Sequence, residues 1–176
     1  MNQEELNKIV KDHKNWLDGN GGKRADMQRA DLRWANLQRA DMQRAALRWA
    51  DMQRAKLQRA DMQGAALQGA DLRGADLQGA NLQRADLRWA DMQRADLRWA
   101  DLKGADLRWA DLDFSAWPLW CGSNGVIVDI RIVRQLLAHV ACLTCDDPEF
   151  DEVKALIMPY AKKSHRAKDL GLVEEE

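Results

Sequence analysis

The stretch ADLRWADMQRADLRWADLKGADLRWADL, residues 85–112, repeats every five residues. The pattern extends from it towards the amino terminus: every fifth residue is Ala from Ala25 to Ala110, and Leu or Met from Met27 to Leu112. These are eighteen consecutive units without a break. The position between Ala and Leu is Asp in thirteen units, Asn at 36 and 81, Ala at 46 and 66, and Lys at 56. A repeat this regular has to be explained before any other feature of the chain.

A period of five suits neither a continuous α-helix, which repeats every 3.6 residues, nor a continuous strand, which alternates every two. A short extended triplet does fit, because Ala and Leu then point to one side and Asp to the other. The last two residues of the unit turn the chain. The sequence therefore predicts an all-β solenoid lined by Ala and by Leu or Met, whose coils stack about 4.8 Å apart.

The A(D/N)Lxx unit resembles that of the pentapeptide repeat family, over about half of the chain. The resemblance implies a right-handed quadrilateral β-helix with four units to a coil. It also implies that HKNWLDGNGGKRADM, residues 13–27, is similar to the family's helical amino-terminal cap. At four units per coil, the repeat makes about four and a half coils, a rod of roughly 22 Å at the strand spacing.

An open solenoid end exposes backbone groups and apolar side chains, so both ends need a cap. Asn2, with Glu5 three residues later, predicts the start of a helix that ends at Asp18–Gly22. The apolar stripe of this helix is Leu6, Ile9, Val10, His13, Trp16 and Leu17. We therefore assign residues 1–22 to an amino-terminal capping helix and residues 23–117 to the β-helix, with Ser115–Trp117 as a degraded last unit at which the rod ends.

Residues 118–176 are expected to form a carboxy-terminal cap and tail. Asp129 predicts one helix to about Leu143, and Asp147-Pro148-Glu149 predicts the start of a second. The two would make a helical hairpin laid over the last coil. The residues expected to be buried in it are Ile132, Val133, Leu136, Leu137, Val140, Phe150, Val153, Leu156, Ile157 and Tyr160.

The composition excludes several classes of protein. Of the 176 residues, 27 are basic and 28 acidic, a net charge of −1, which argues against a nucleic-acid partner or an anionic membrane. No run of about 18 apolar residues and no secretory signal pattern is present. With three cysteines, the chain is expected to be a cytoplasmic protein of a reducing compartment.

Candidate catalytic and metal sites are poor. The repeats contain neither Ser nor His, and their interior is filled by their own side chains, so we expect no enzyme activity and no cofactor. Three cysteines and one histidine could in principle bind zinc, although one CxxC without a second pair is weak, and we prefer buried thiols. These residues are Cys121, His139, Cys142 and Cys145.

If four units form a coil, residues twenty apart are vertical neighbours. One predicted column is acidic and consists of Asp31, Asp51, Asp71, Asp91 and Asp111. Stacked carboxylates repel unless compensated, and Arg33, Arg54, Arg73 and Arg94 lie two or three positions further on. A self-neutralised, solvated face is therefore expected, in preference to a cation-binding or protein-docking stripe.

The last position of each unit, at a corner of the coil, carries either a large side chain or, where it is glycine, none. Trp34, Trp49, Trp89, Trp99 and Trp109 all lie there, as do Arg54 and Arg94. Gly64, Gly69, Gly74 and Gly79 occupy the corners of four successive units. These glycines are expected to form a girdle around the rod, chiefly because glycine tolerates the dihedral angles of the turn; the alternative is that a partner approaches the backbone there. Trp and Arg could bind a partner, or could only stack on each other and cover the corner.

The sequence indicates a non-catalytic solenoid that presents a side surface to a macromolecular partner, as a monomer or a homodimer. Two alternatives remain open. Quinolone-resistance members of the pentapeptide repeat family are thought to bind DNA gyrase by imitating DNA, but residues 25–114 carry a net charge of +1, and no loop interrupts the repeats. The second alternative is nucleic-acid or carbohydrate binding through the Trp and Arg corners.

Overall fold

A computed structural model describes residues 1–117, 125–142, 148–165, 167 and 171–173. The chain divides into two units, Met1–Ile127 and Val128–Glu176. The first contains helix α1 (Gln3–Leu17) and the repeats, and the second contains helices α2 (Ile130–Ala141) and α3 (Pro148–Ala161). None of the helices in the described parts of the chain is long and apolar enough to cross a membrane.

The repeats form a β-helix-type solenoid in which each residue at the Asp position pairs in parallel with the residue twenty positions later. One such column runs Asp31↔Asp51, Asp51↔Asp71, Asp71↔Asp91 and Asp91↔Asp111. Four five-residue units therefore make one coil, as the family resemblance implied. The pairing consists of isolated bridges and not of continuous strands, because each five-residue unit already turns after its extended triplet.

Three backbone hydrogen bonds join each unit to the unit directly above it, and the pair formed by residues 30–34 and 50–54 is representative. The N–H of Asp51 donates to the carbonyl of Ala30 in the coil before it, at 2.9 Å. The carbonyl of Asp51 accepts from Leu32, at 2.7 Å, and the corner N–H of Trp34 donates to Gln53, at 3.0 Å. Three of the five backbone N–H groups of an inner unit are thus satisfied by the coils above and below.

Each corner is a tight turn. The N–H of the next Ala donates to the carbonyl of the preceding Leu or Met, for example Ala35 to Leu32 at 3.0 Å. Of the two central residues, only the second has a positive φ, as a type II turn requires. The sequence prediction of an extended triplet followed by a two-residue turn is confirmed.

The core of the solenoid is narrow and uniform. From Ala45 to Leu107, every residue at the Ala position and at the Leu or Met position of the unit is at most 1% exposed. Leu and Met alternate with the smaller Ala around each coil, so the interior is packed by the repeat itself. The prediction that these two positions face inward is confirmed.

The carboxy-terminal end of the solenoid extends further than the sequence indicated. Ala116 pairs with Asp96, so Ser115–Trp117 is a further unit, as predicted. One more rung follows, because Ile127 pairs with Asp106 at a spacing of 21 residues and not 20. The prediction that the rod ends at Trp117 therefore misses this rung. The one-residue insertion hides it from a strict five-residue count.

Helix α1 begins and ends as predicted. Asn2 accepts from the Glu5 N–H at 2.8 Å, while the Glu5 carboxylate accepts from the Asn2 N–H at 3.1 Å, which is a capping box. Leu6 and His13 are buried, and the other members of the predicted stripe are half-buried. Gly19, with φ 73°, follows the last residues of the helix.

Helices α2 and α3 pack against one another. Asp129 starts α2 as predicted, since its side chain accepts from the N–H groups of Arg131 and Ile132. The predicted apolar faces are partly wrong: Val140, Val153, Leu156 and Tyr160 are exposed, from 37% for Val140 to 75% for Leu156. The residues buried at the center are the small ones, Ala138, Ala141 and Ala161.

Candidate interaction surface

All eighteen corner residues of the repeat, from Arg29 to Phe114, have a left-handed backbone with positive φ. Only five of them are glycine: Gly64, Gly69, Gly74, Gly79 and Gly104. The other thirteen are Arg, Trp or Phe, which adopt this conformation at a cost of about 1–2 kcal/mol each. The backbone directs the side chain of each corner outward, away from the core.

The five corner tryptophans are all exposed, from 52% for Trp89 to 73% for Trp99. The corner arginines Arg54 and Arg94 are exposed as well. The structure therefore places every predicted partner-binding side chain on the surface. It does not bring them together into one patch, because Trp34 lies in the corner column of Arg54 and Arg94, Trp99 lies in another, and the other three share a third.

Several corner side chains contact each other along a column. The guanidinium of Arg54 lies 4.8 Å from the ring centroid of Trp34, and that of Arg94 lies 5.9 Å from the ring of Phe114. Arg88 lies 5.3 Å from the ring of its neighbour Trp89. Part of the aromatic surface is thus covered by cation–π contacts within the rod. Phe114, 59% exposed, belongs to this set, and its position twenty residues after Arg94 in the five-residue count is the signal that predicts it.

The glycine girdle is interrupted. Gly64, Gly74 and Gly79 are exposed, but Gly69 is half-buried. The indole of Trp49 lies against it, where a Cβ on Gly69 would meet the ring atoms Cε3 and Cζ3. The expectation that a partner could approach the backbone all the way round is therefore wrong at this corner, because a corner side chain leans over the residue twenty positions later.

The carboxylates of the acidic column are stacked as predicted, but only some of the arginines expected to neutralise them do so. Arg33 pairs with Asp31 at 2.6 Å, and its Nε lies 3.6 Å from Asp51. Arg73 pairs with Asp71 at 2.5 Å and lies 3.4 Å from Asp91. Arg54 and Arg94 were expected to take part, but they lie over aromatic rings instead.

The pKa values along this column diverge. Hydrogen bonds from the side chain and backbone of Arg33 hold the pKa of Asp31 well below its ordinary value. Burial raises the pKa of Asp91, and the neighbouring carboxylates Asp111 and Asp71 add to the rise. The carboxyl of Asp91 therefore loses its proton less readily than an exposed Asp, although Arg73 lies close to it and opposes the rise.

The residue two positions after the Asp, at the start of the turn, commonly binds an Asp carboxylate with its side chain. An Arg there binds the Asp of its own unit, as in Arg98 with Asp96 at 2.6 Å. A Gln there donates to the Asp eighteen residues later, in the next coil, as in Gln78 with Asp96 at 2.7 Å. The same Gln-to-Asp contact occurs at Gln53–Asp71, Gln58–Asp76, Gln68–Asp86, Gln83–Asp101 and Gln93–Asp111.

The Asp also has a local role that the sequence reading did not identify. Its Oδ1 accepts from the backbone N–H two residues later, for example from Gln93 to Asp91 at 3.1 Å. This contact stabilises the turn in the manner of an Asx turn. Asn can make the same bond, and Asn36 and Asn81 do so with Gln38 and Gln83. The occurrence of Asn in place of Asp at positions 36 and 81 is the sequence signal for this Asx turn.

The weak zinc candidate lies largely outside the described residues. Cys121 and Cys145 are not described, and neither is the side chain of His139. Cys142 is exposed, so the interpretation of it as a buried core thiol is wrong. Among the residues that the structure describes, no group of three or more His, Cys, Asp or Glu could hold a metal ion.

Comparison with known proteins agrees with the five-residue repeat. The family model described as "Pentapeptide repeats (8 copies)" matches residues 23–54, 55–94 and 80–113. The chain matches no curated protein.

Several solved structures resemble the chain. A pentapeptide repeat protein from the cyanobacterium Cyanothece 51142 is 31% identical, over 62% of this chain and 64% of its own length, with a TM-score of 0.34. One from Nostoc PCC 7120 is 34% identical over 69% and 95%, with a TM-score of 0.32. QnrB1, a plasmid-mediated fluoroquinolone resistance protein, is 17% identical over 70% and 75%, with a TM-score of 0.34. The chain thus spans less than two thirds of the Cyanothece protein.

Proposed function

Because the chain belongs to the pentapeptide repeat family, we propose that it is a non-catalytic solenoid that presents a side surface to a macromolecular partner. The outward corners, and above all their tryptophans, would make the contact. Trp and Arg are the residue types that contribute most often to binding hot spots between proteins. The rigid stack of coils would hold them in place before the partner arrives, which lowers the entropy lost on binding.

The observation that carries this proposal is the backbone conformation of the five corner tryptophans. Their φ angles lie between 58° and 66°, where glycine would be relaxed. Five large apolar side chains thus occupy strained positions, more than half exposed to water. Neither the fold nor the core requires them there. Strained residues that the fold does not need are typical of functional surfaces.

The same geometry provides the test. All five corner tryptophans are changed to glycine, which removes the side chains and also relaxes the backbone. The variant should fold, and it should lose the partner that the unchanged protein captures by cross-linking in an extract of its host. A matched variant changes Arg29, Arg44 and Arg84 to glycine, at corners with the same left-handed backbone.

The proposal predicts that the arginine variant keeps the captured partner. If the tryptophan variant captures the same proteins as the unchanged chain, the tryptophan corners do not bind a partner. Circular dichroism of both variants shows whether each retains the fold.

We infer further that α1 is the amino-terminal cap of a right-handed β-helix. The first coil has no coil beneath it, so its outer backbone groups lack their usual partners. Helix α1 supplies several of them. Gln3 donates to the carbonyl of Asn36 at 2.9 Å and accepts from the N–H of Asn36 at 2.9 Å. The terminal amino group of Met1 donates to the carbonyl of Asp31 at 3.1 Å.

The acidic column does not favour the DNA-mimic alternative. Imitation of DNA would need a row of uncompensated negative charge, but Arg33 and Arg73 lie along the column and bridge its carboxylates. We therefore do not propose DNA gyrase as the partner of this chain.

A further inference from the structure

One wall of the solenoid combines the absence of carboxylates over two successive coils with four basic residues. The wall consists of residues 34–39 and, directly above them, residues 54–59. Its two residues at the Asp position are Asn36 and Lys56, which pair with each other. The next residue up this column is Asp76, whose carboxylate accepts a hydrogen bond from Gln58. We call residues 34–39 and 54–59 the basic wall.

The basic wall carries four positive charges and no negative one: Arg39, Arg54, Lys56 and Arg59. All four side chains are exposed. Among the residues that the structure describes, none of them forms an ion pair, in contrast to the arginines that begin a turn, such as Arg33 and Arg73. Arg39, Arg54 and Arg59 lie at corners, where no described arginine forms an ion pair, even in a unit that has an Asp, such as Arg44 with Asp41.

An open groove in this wall is lined by Arg39 and Arg59 together with the amide side chains of Asn36, Gln38 and Gln58. Guanidinium groups offer paired N–H donors in a geometry that matches a carboxylate. A groove lined by guanidinium and amide groups and without a carboxylate is suited to an anion.

The wall is part of a larger segregation of charge that the net charge conceals. Residues 25–64 contain eight basic and five acidic residues, whereas residues 65–114 contain seven basic and nine acidic ones. The amino-terminal half of the solenoid is thus positive and the other half negative. The net charge of the whole chain averages over these two halves.

We propose that the basic wall is the docking surface for an acidic segment of a protein partner. This inference deepens the proposed function, on which it rests, by naming the chemistry of the partner. Trp34, 62% exposed, stands at the edge of the wall against Arg54 and would supply an apolar anchor beside the charges. Complementary charge would steer the partner to this wall and orient it there.

The number of charges decides between a protein and a nucleic acid. Nucleic-acid affinity rises with the number of phosphates neutralised, and the strongly salt-dependent binding of a DNA-binding protein reflects about 6–10 such contacts. The wall offers four. A protein interface needs fewer charges, since a few hot-spot residues provide most of its binding energy.

The experiment measures the fluorescence anisotropy of two labelled probes, a ten-residue polyglutamate peptide and a ten-nucleotide oligothymidylate, with the full chain. The test variant carries Arg39→Glu and Arg59→Glu. The control carries Arg44→Glu and Arg84→Glu, two exposed corner arginines on another column, so the net charge of both variants is the same. A third variant, Arg39→Gln with Arg59→Gln, serves if the charge reversal prevents folding.

We expect the peptide to bind the unchanged chain more weakly as salt is raised, to lose at least tenfold in affinity in the test variant, and to lose less than threefold in the control. Equal losses in both variants would overturn the proposal, because binding would then follow net charge and not this wall. Tighter binding of the oligothymidylate than of the peptide at physiological salt, lost in the test variant, would make the wall a nucleic-acid site instead.

Failure of the basic-wall proposal can be distinguished from failure of the proposed function. If the peptide fails to bind while the tryptophan variant still loses a captured protein, only the basic wall is excluded. If the capture experiment fails and the peptide binds, the tryptophan corners are excluded as a binding surface and the charges of the basic wall bind without them.

Discussion

At the scale of single residues, the corner position governs both strain and exposure in this protein. Its backbone is left-handed in every unit, whichever side chain it carries. The coil imposes this conformation, because backbone hydrogen bonds to the coils above and below fix each turn. Local preference is therefore overridden thirteen times by the stacking of the coils.

The glycine corners allow the strain to be measured. We expect Gly74→Ala to lower the free energy of unfolding by about 1 kcal/mol, since alanine at φ 63° is strained. The space itself is open, because the nearest atom to a new Cβ would be Cγ of Arg54, at 3.6 Å. Urea-induced unfolding followed by circular dichroism measures the change.

Gly69→Ala is the matched comparison, with the same φ of 63°. Here the new methyl group would displace the indole of Trp49, so the loss should exceed that of Gly74→Ala. Changing Trp49 to Ala in the same chain should return the loss to the Gly74→Ala value. Equal losses for the two glycine substitutions would show that Trp49 does not lie against Gly69.

Some residue roles could be predicted from the sequence, and others could not. The inward position of Ala and Leu followed from their spacing alone. The pairing of Arg33 with Asp31 and the stacking of Arg54 on Trp34 did not. Both arginines lie within reach of the acidic column, and only the left-handed corner, which directs Arg54 along its own column, separates their roles.

At the scale of elements, one buried histidine of α1 makes two hydrogen-bond contacts with the first coil. The His13 Nδ1 accepts from the N–H of Ala25 at 3.0 Å, and its Nε2 lies 3.0 Å from the carbonyl of Gln43. The ring must therefore be neutral, with its proton on Nε2. Trp16 stacks on its face at 5.5 Å.

Burial lowers the pKa of His13 from 6.5 and outweighs the opposing effect of the Gln43 carbonyl; Asp41 also raises it, and Arg24 lowers it. A base with a lowered pKa in the folded state binds protons more readily when unfolded, so stability should fall as the pH drops below about 6.5. Protonation would also place an N–H against the N–H of Ala25.

We therefore expect the unchanged chain to lose more free energy of unfolding between pH 7.5 and pH 5.5 than His13→Gln, whose amide cannot titrate. Hydrogen exchange of the α1 amides should accelerate over the same range in the unchanged chain only. If the two proteins have the same pH dependence, His13 does not hold α1 through its neutral ring.

The helices show where prediction from sequence ended at this scale. The start of α1 was predictable because the capping box is a local signal. The buried face of the α2–α3 pair was not, because it depends on which side of each helix meets the other. A close approach through Ala138, Ala141 and Ala161 leaves large apolar residues of α3, such as Leu156, on the outside.

At the scale of the whole solenoid, a change in chain length keeps the columns in register only if it removes or adds a whole coil of four units. Deletion of residues 61–80 removes one complete coil and joins Ala60 to Asn81, which keeps the order of the repeat and every column in register. We expect this shortened chain to unfold cooperatively, at a lower denaturant concentration, because it lacks one set of neighbour contacts.

Deletion of residues 61–63 is the control, since it shifts the apolar positions relative to the turns and should prevent the solenoid from forming. Denaturant unfolding of both chains, with circular dichroism of each, distinguishes them. A twenty-residue deletion that abolishes folding would contradict the independence of the coils.

The spacing of the bridges also bears on how the chain acquires its structure during synthesis. Every bridge between described residues joins positions twenty or twenty-one apart, so these coils do not need chain that is made much later. The entropy lost in closing such a short loop is small and is the same for each coil. Folding on the ribosome can therefore proceed in order, with α1 formed first and each newly emerged stretch of twenty residues winding onto the coil completed just before it.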